Sequence, residues 1–247
     1  MSFMSNLGRY ILFLGKLFTN RETFGTYVRL TLDECIYVGI NSIVLVSIVS
    51  IFMGAVSTLQ TAYNLLNPLI PDSVIGLVVR DLTILELAPT ITAIIFAGKV
   101  GSSIAGNLGT MRITEQIDAL EVMGINSVSY LVLPKIVATL FMYPFLVILA
   151  GSLAIAGGYL VAELTEVLSP ANYFTGLKTE FNEFSVTFAL IKSVVFGFLV
   201  SSISAFMGYY TKGGALEVGQ SSTRAVTVSC IAILLSDFVL AQLLLVR

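Results

Sequence analysis

The chain has 247 residues, of which 56% are hydrophobic and 11% charged, with a mean hydropathy of +0.94, against roughly 45–50% and 25% in soluble domains. A net charge of −2 leaves no basic footprint for nucleic acid, and the absence of histidine removes Ser-His triads, HExxH metalloprotease sites and imidazole-bound metals. The apolar residues run continuously rather than alternating, and backbone that crosses lipid must be helical or a closed barrel, so the composition predicts an all-α integral membrane protein.

At the N-terminus, Phe3, Leu7, Tyr10, Ile11, Leu14, Leu17 and Phe18 recur at the spacing of one helix face, with Asn6, Arg9 and Lys16 between them. A short basic amphipathic stretch of this kind predicts an interfacial helix within residues 3–30, and a helix packed on a soluble partner fits the same pattern. No charged start with a cleavage site precedes Met4, so the segment is expected to be retained. A first span is expected at 36–59, followed by a turn-rich loop marked by Pro68, Pro71 and Asp72. Further apolar segments cover 86–111 and 129–162. The latter would be about 50 Å long as helix, too long for one upright span and too short for two with a turn, which predicts a single helix bent or broken near Pro134 and Pro144.

Residues 163–185 carry Glu163, Glu166, Lys178, Glu180 and Glu183 and read as a polar loop, with spans at 186–210 and 226–246 completing a five-helix bundle over 36–247 in one domain of residues 1–247. Cys35 and Cys230 stand alone in apolar sequence and read as packed residues. Five spans put the termini on opposite sides. With the N-terminus in the cytoplasm, Arg9, Lys16, Arg21, Arg29, Arg112, Lys135, Lys212 and Arg224 lie inside and Arg80, Lys178 and Arg247 outside, the bias that selects this orientation.

Two rows of small residues mark the second span: Gly98, Ser102 and Gly106, and Gly101, Ala105 and Gly109. Such rows let helices approach closely, within the chain, in a dimer or beside a pore. Lys99 sits mid-span, where a charge costs about 2.5–3.5 kcal/mol. Glu86 opens the same span but lies about 20 Å away along the helix, too far to pair with it. Lys192 and Asp237 are further intramembrane charges, and functional roles and structural ion pairs are both open for all of them. After the span, residues 112–124 predict a short helix with Thr114 as N-cap, Glu115 and Asp118 at the positive dipole end and Gly124 at the C-terminus. Glu115, Asp118 and Glu121 centre on one face, with Ile117, Leu120 and Met123 roughly opposite. Such a helix could receive force from a partner or merely close a connection at the interface.

The stretch Glu86-Leu87-Ala88-Pro89, then 96–102, Met111-Arg112 and 114–124, followed by Pro134-Lys135, 191–196, Gly208-Tyr209 and 236–240, resembles the MlaE/YrbE permease family along nearly the whole chain. That resemblance implies a permease subunit of an ABC-type phospholipid transporter in the bacterial inner membrane. It implies a homodimer, a cytoplasmic ATPase docked on residues 114–124, and a periplasmic MCE-domain protein exchanging phospholipid. The chain has no GxxxxGK[ST] cradle, so it is expected to bind no cofactor, with ATP used by the partner ATPase. The first, second and last spans are expected to border a lipid cavity in the dimer, with Glu86 at its mouth and Leu45, Ile48, Phe52, Ile84 and Leu85 as walls, although an ordinary bundle core could bury the same residues. Lys99 is assigned to coupling or to the dimer contact. An ion-gradient-driven transporter or channel, and a lipid-modifying intramembrane enzyme, are the competing readings.

Overall fold

The structure, a computed structural model, describes residues 3–19, 24–65, 71–165 and 168–244, so Pro68, Arg21, Glu166 and Arg247 lie outside the described residues. Within them the chain is helical with no strand: α1 Phe3–Lys16, α2 Phe24–Asn64, α3 Ser73–Leu82, α4 Thr92–Phe96, α5 Ser102–Ile113, α6 Gln116–Val122, α7 Ser127–Leu164, α8 Pro170–Lys178, α9 Glu183–Tyr209 and α10 Ala215–Leu244. Four of these, α2, α7, α9 and α10, are long and apolar enough to cross a membrane, with mean hydropathies of 2.0–2.3. The expected second span, 86–111, is helical from end to end but is divided by π-helical turns at Thr83–Ile91 and Ala97–Gly101, and a third π turn, Ile36–Ile40, lies inside α2.

Four local expectations need correction. Glu86 does not open a helix: it sits inside the helical run that begins at Ser73, so no unpartnered first-turn amides surround it. The stretch after Asn64 is not wholly loop, because Ser73–Leu82 is an amphipathic helix in which Ile75, Gly76, Val79 and Arg80 are buried. The polar region 163–185 likewise contains α8, whose N-terminus is set by Ser169: its Oγ accepts the Asn172 amide at 3.2 Å, and Pro170 occupies the first turn. Finally, α7 continues for 38 residues through both Pro134 and Pro144 without a break, about 57 Å of helix. In an apolar span the surrounding packing tolerates the two lost backbone bonds.

The chain divides into two compact units. The first comprises residues up to Ser42, Ala93–Tyr143 and Val195–Val239, and the second Ile43–Thr92, Pro144–Val194 and the chain from Leu240.

In the first unit, one face of α1 packs inward: Phe13 and Leu17 are buried, Phe13 meets the rings of Phe206, Tyr209 and Tyr210, and the Tyr10 hydroxyl bonds Ser202 Oγ at 2.7 Å. The predicted apolar face is thus shared between core and surface, since Leu7, Ile11 and Phe18 remain exposed. Asn126 Nδ2 donates to the carbonyls of Lys16 at 2.9 Å and Thr19 at 2.6 Å, satisfying the end of α1. The row Gly101, Ala105, Gly109 is internal: Gly101 faces Ser204, Gly109 faces Val218, and a Cβ on Gly208 would press on the Ala105 backbone. The other row is more open, with nothing near Gly98. Lys135 forms an ion pair with Glu34, so its charge is balanced within the fold. Cys35 and Cys230 are free and half-buried.

In the second unit, α3 and α8 pack so tightly that a Cβ on Gly76 would overlap the Tyr173 carbonyl oxygen, and one on Gly176 the Ser73 carbonyl oxygen. Arg80, 3% exposed, closes the far end of α8 by donating to the carbonyls of Leu177 at 2.9 Å and Thr179 at 2.6 Å. The guanidinium therefore serves as a C-cap for α8 rather than as a simple outer-side cation. Gly54 and Gly157 bring α2 and α7 into backbone contact, Gly54 against Ala154 and Gly157 against Ile51.

Candidate functional site

The residues singled out in the sequence fall at three places. The first is α6, in the first unit. Its C-terminus is a Schellman motif: Ile125 N–H reaches Leu120 O at 3.0 Å, Gly124 N–H reaches Glu121 O at 3.0 Å, and Gly124 adopts φ +79°. Its N-terminus differs from expectation. Glu115, in a left-handed conformation at φ 60°, is the N-cap residue, while Thr114 Oγ1 turns back to Thr110 O at 2.8 Å and belongs to the end of α5. The side chain without a Cβ penalty in that conformation is Gly, so Glu115 is held there by its neighbours rather than by preference.

Of the predicted apolar face, Ile117 is fully buried in the chain itself, Leu120 is half-buried, and Met123 is exposed together with Val122, which is 88% exposed and was not singled out. Of the acidic face, two members are tied inward. Arg112 Nη1 donates to Asp118 Oδ1 at 2.6 Å. Glu121 Oε1 accepts from Ser127 Oγ and from the Tyr209 hydroxyl, each at 2.9 Å, while those hydroxyls stand 2.7 Å apart. The Tyr209 bond, joined by Ser127, Arg112 and Lys16 against the opposing effect of partial burial, holds the Glu121 carboxyl below the usual carboxylate range. The ends of α5, α7 and α9 thus hold α6 as a short rigid lever. Its outward surface includes Glu115, Gln116, Ala119, Val122 and Met123. Tyr209 and Ser127 carried no sequence signal for this role, because their meeting joins residues 82 positions apart.

The second place is the Thr83–Ile91 π turn in the second unit. Lys192 reaches into it: its Nζ donates to Leu85 O at 2.8 Å and to Glu86 Oε1 at 3.0 Å, and it stands 5.0 Å from the centre of the Phe188 ring. Lys192 is completely buried, whereas the Glu86 side chain is 41% exposed, and its Oε2 accepts from Thr90 Oγ1 at 3.3 Å. Ile84 and Leu85 are half-buried beside it. Along α2, Leu45, Ile48 and Phe52 are 39, 52 and 67% exposed. They are not in the bundle core. On the same helix, Met53, Val56, Ser57, Gln60, Thr61 and Asn64 follow one stripe and, with Leu82 and Leu87, line a groove of about 210 Å³. The groove is apolar at Met53, Val56 and Leu87 and turns polar at Gln60, Thr61 and Asn64, the last of these about 16 Å from Met53 along the helix.

The third place is Lys99, in the Ala97–Gly101 π turn of the first unit. Its ammonium bonds the Asn41 carbonyl at the end of the α2 π turn, so one helical irregularity is answered by the other. Asp237, in the exposed apolar helix α10, belongs to this unit as well. The described residues contain no cluster of His, Cys, Asp and Glu able to hold a metal.

Comparison with known proteins places this arrangement. Residues 31–243 match the family described as Permease MlaE. A probable ABC transporter permease protein of Rickettsia bellii is 34% identical over 238 residues, covering 96% of this chain and 92% of that protein. One from Synechocystis sp. is 36% identical over 216 residues, covering 87% and 82%. The chloroplastic protein TRIGALACTOSYLDIACYLGLYCEROL 1 of Arabidopsis thaliana is 33% identical over 214 residues, 87% of this chain and 61% of that protein. The chain belongs to the MlaE permease family and is a multi-pass membrane permease of the ABC transporter type.

Proposed function

We propose that this permease moves phospholipid between the inner membrane of a bacterium and a periplasmic MCE-domain protein, working as a homodimer driven by a separate cytoplasmic ATPase. The observation that carries the lipid reading is the groove on α2, whose apolar end and polar end match the two halves of an amphiphile. Leu45, Ile48 and Phe52 continue an apolar surface on the same helix, and Glu86, half-exposed beside its lysine, offers a charge for an ammonium or for ordered water. The name of the Arabidopsis relative contains a galactosylated diacylglycerol, which shares its two-chain glycerol part with a phospholipid and differs in the headgroup. With the N-terminus in the cytoplasm, α6 lies on the ATPase side, and Glu115, Val122 and Met123 are the residues offered to that partner. ATP is bound and hydrolysed by that partner, and Lys99 couples α2 to the second span.

The test is native mass spectrometry on protein extracted in mild detergent. Wild type should carry phospholipid. Val56→Trp, which fills the groove, and Phe52→Asp, which places a charge on the apolar wall, should lower the bound fraction while the dimer persists. A dimer that copurifies without lipid and still supports lipid transport would refute the groove as the route.

A further inference from the structure

A second cleft, in the first unit, has a chemistry that the transport reading does not use. Arg9 of α1, Lys212 before α10 and Arg224 within it border a space of about 430 Å³, together with Tyr210, Gln220 and Glu217. Three cations and one carboxylate leave the cleft with an excess of positive charge. Glu217 Oε2 is occupied by the Gly214 N–H at 2.8 Å. None of the three cations forms an ion pair with a carboxylate among the described residues. Arg9 is nevertheless placed: its guanidinium lies 4.8 Å above the Tyr210 ring, which orients the fork without neutralising it. The Thr211 and Ser221 hydroxyls bond each other at 2.9 Å and the Met207 carbonyl, so recognition falls to the cations and the Gln220 amide. Such a set of donors suits the oxygens of a phosphate group.

A second observation indicates what carries that phosphate. On α1, Ile11 and Leu12 are 61 and 71% exposed although Phe13 beside them is fully buried. Leu12 is one helical turn from Arg9 and on the same side. A helix with a buried face, an exposed apolar stripe and an arginine at the edge of a basic cleft is built for the boundary between headgroups and acyl chains. Basic clefts between membrane helices bind anionic headgroups.

We propose that this cleft seats the phosphate of an anionic phospholipid, held at the membrane surface beside α1 as a resident lipid separate from any lipid in the α2 groove. The test uses the full chain, delipidated in mild detergent and titrated with phosphatidylglycerol, phosphatidylcholine of the same acyl chains, or inorganic phosphate, with bound molecules counted by native mass spectrometry. Phosphatidylglycerol should be retained and should weaken as salt rises. Arg9→Gln, Lys212→Gln and Arg224→Gln should each weaken it about fivefold. Arg9→Lys should recover part of the loss, separating lost charge from a misplaced α1. Equal retention of both lipids, or indifference to all three neutralisations, would overturn the proposal. So would inorganic phosphate binding as tightly as the lipid, which would make this a site for free phosphate.

Discussion

Truncating Ile117 to alanine separates the two roles that meet in α6. Its side chain is fully buried, and large-to-small replacements at such positions cost about 2–5 kcal/mol. A helix of seven residues at the edge of its unit can settle partly into the space, so about 2–3 kcal/mol is the expected range. If α6 opens locally, that cost appears as a rise of about 30- to 150-fold in hydrogen exchange of the amides of Gln116–Val122. Val122→Ala removes a side chain that is 88% exposed and should change stability by at most about 0.5 kcal/mol, roughly a twofold change in exchange. The order reverses when the ATPase is the readout. Val122→Ala combined with Met123→Ala should release the partner in pull-down assays while leaving exchange as in wild type, because these side chains face outward. Charge reversal at Glu115 should do the same. Unchanged exchange in Ile117→Ala, or an equal rise in Val122→Ala, would refute the division of α6 into an anchoring face and a presented one.

The Glu121 carboxyl, held below the usual range first by Tyr209, contributes stability that is present above the ordinary carboxylate pKa of about 4.3 and is lost as pH falls through its lower folded value. Protection of Gln116–Val122 should therefore be flat from neutral pH down to about 5 and should fall only in more acidic buffer, and Tyr209→Phe should flatten that fall. At Gly176 an added methyl group meets the Ser73 carbonyl, whereas at Gly98 it meets nothing within 4 Å. Gly176→Ala should lower the thermal midpoint in detergent by an amount matching about 1–3 kcal/mol, and Gly98→Ala should leave it unchanged. In a protein lacking its two natural thiols, Ser73→Cys and Asn182→Cys should react with an impermeant reagent from the periplasm, and Ser221→Cys should not. Labelling of Ser221→Cys alongside Asn182→Cys would overturn the five-span topology.

Local hydrophobic pattern is enough to set the solvent in which this chain folds and to place most of its helices. Runs of twenty and more apolar residues have one stable solution in lipid, and that constraint acts locally, on each segment in turn. Gly124 was legible as a helix terminus for the same reason: a positive φ at the end of a short helix is a local demand that glycine meets. The Ser169-Pro170 start of α8 was equally local, and the acidic residues around it obscured the signal. Tertiary structure decided which charges matter to which neighbours. Periodicity could not show that Lys192 donates to the Leu85 carbonyl, since 107 positions separate the two. Nor could it show that Ile117 faces inward while Met123 faces out, because both lie on the apolar side of one short helix. The basic cleft of Arg9, Lys212 and Arg224 draws on segments some 200 residues apart in the chain. Hydrophobic pattern reports the average environment of a helix face, but the partner of a single polar atom is chosen by distances that exist only once the helices have packed.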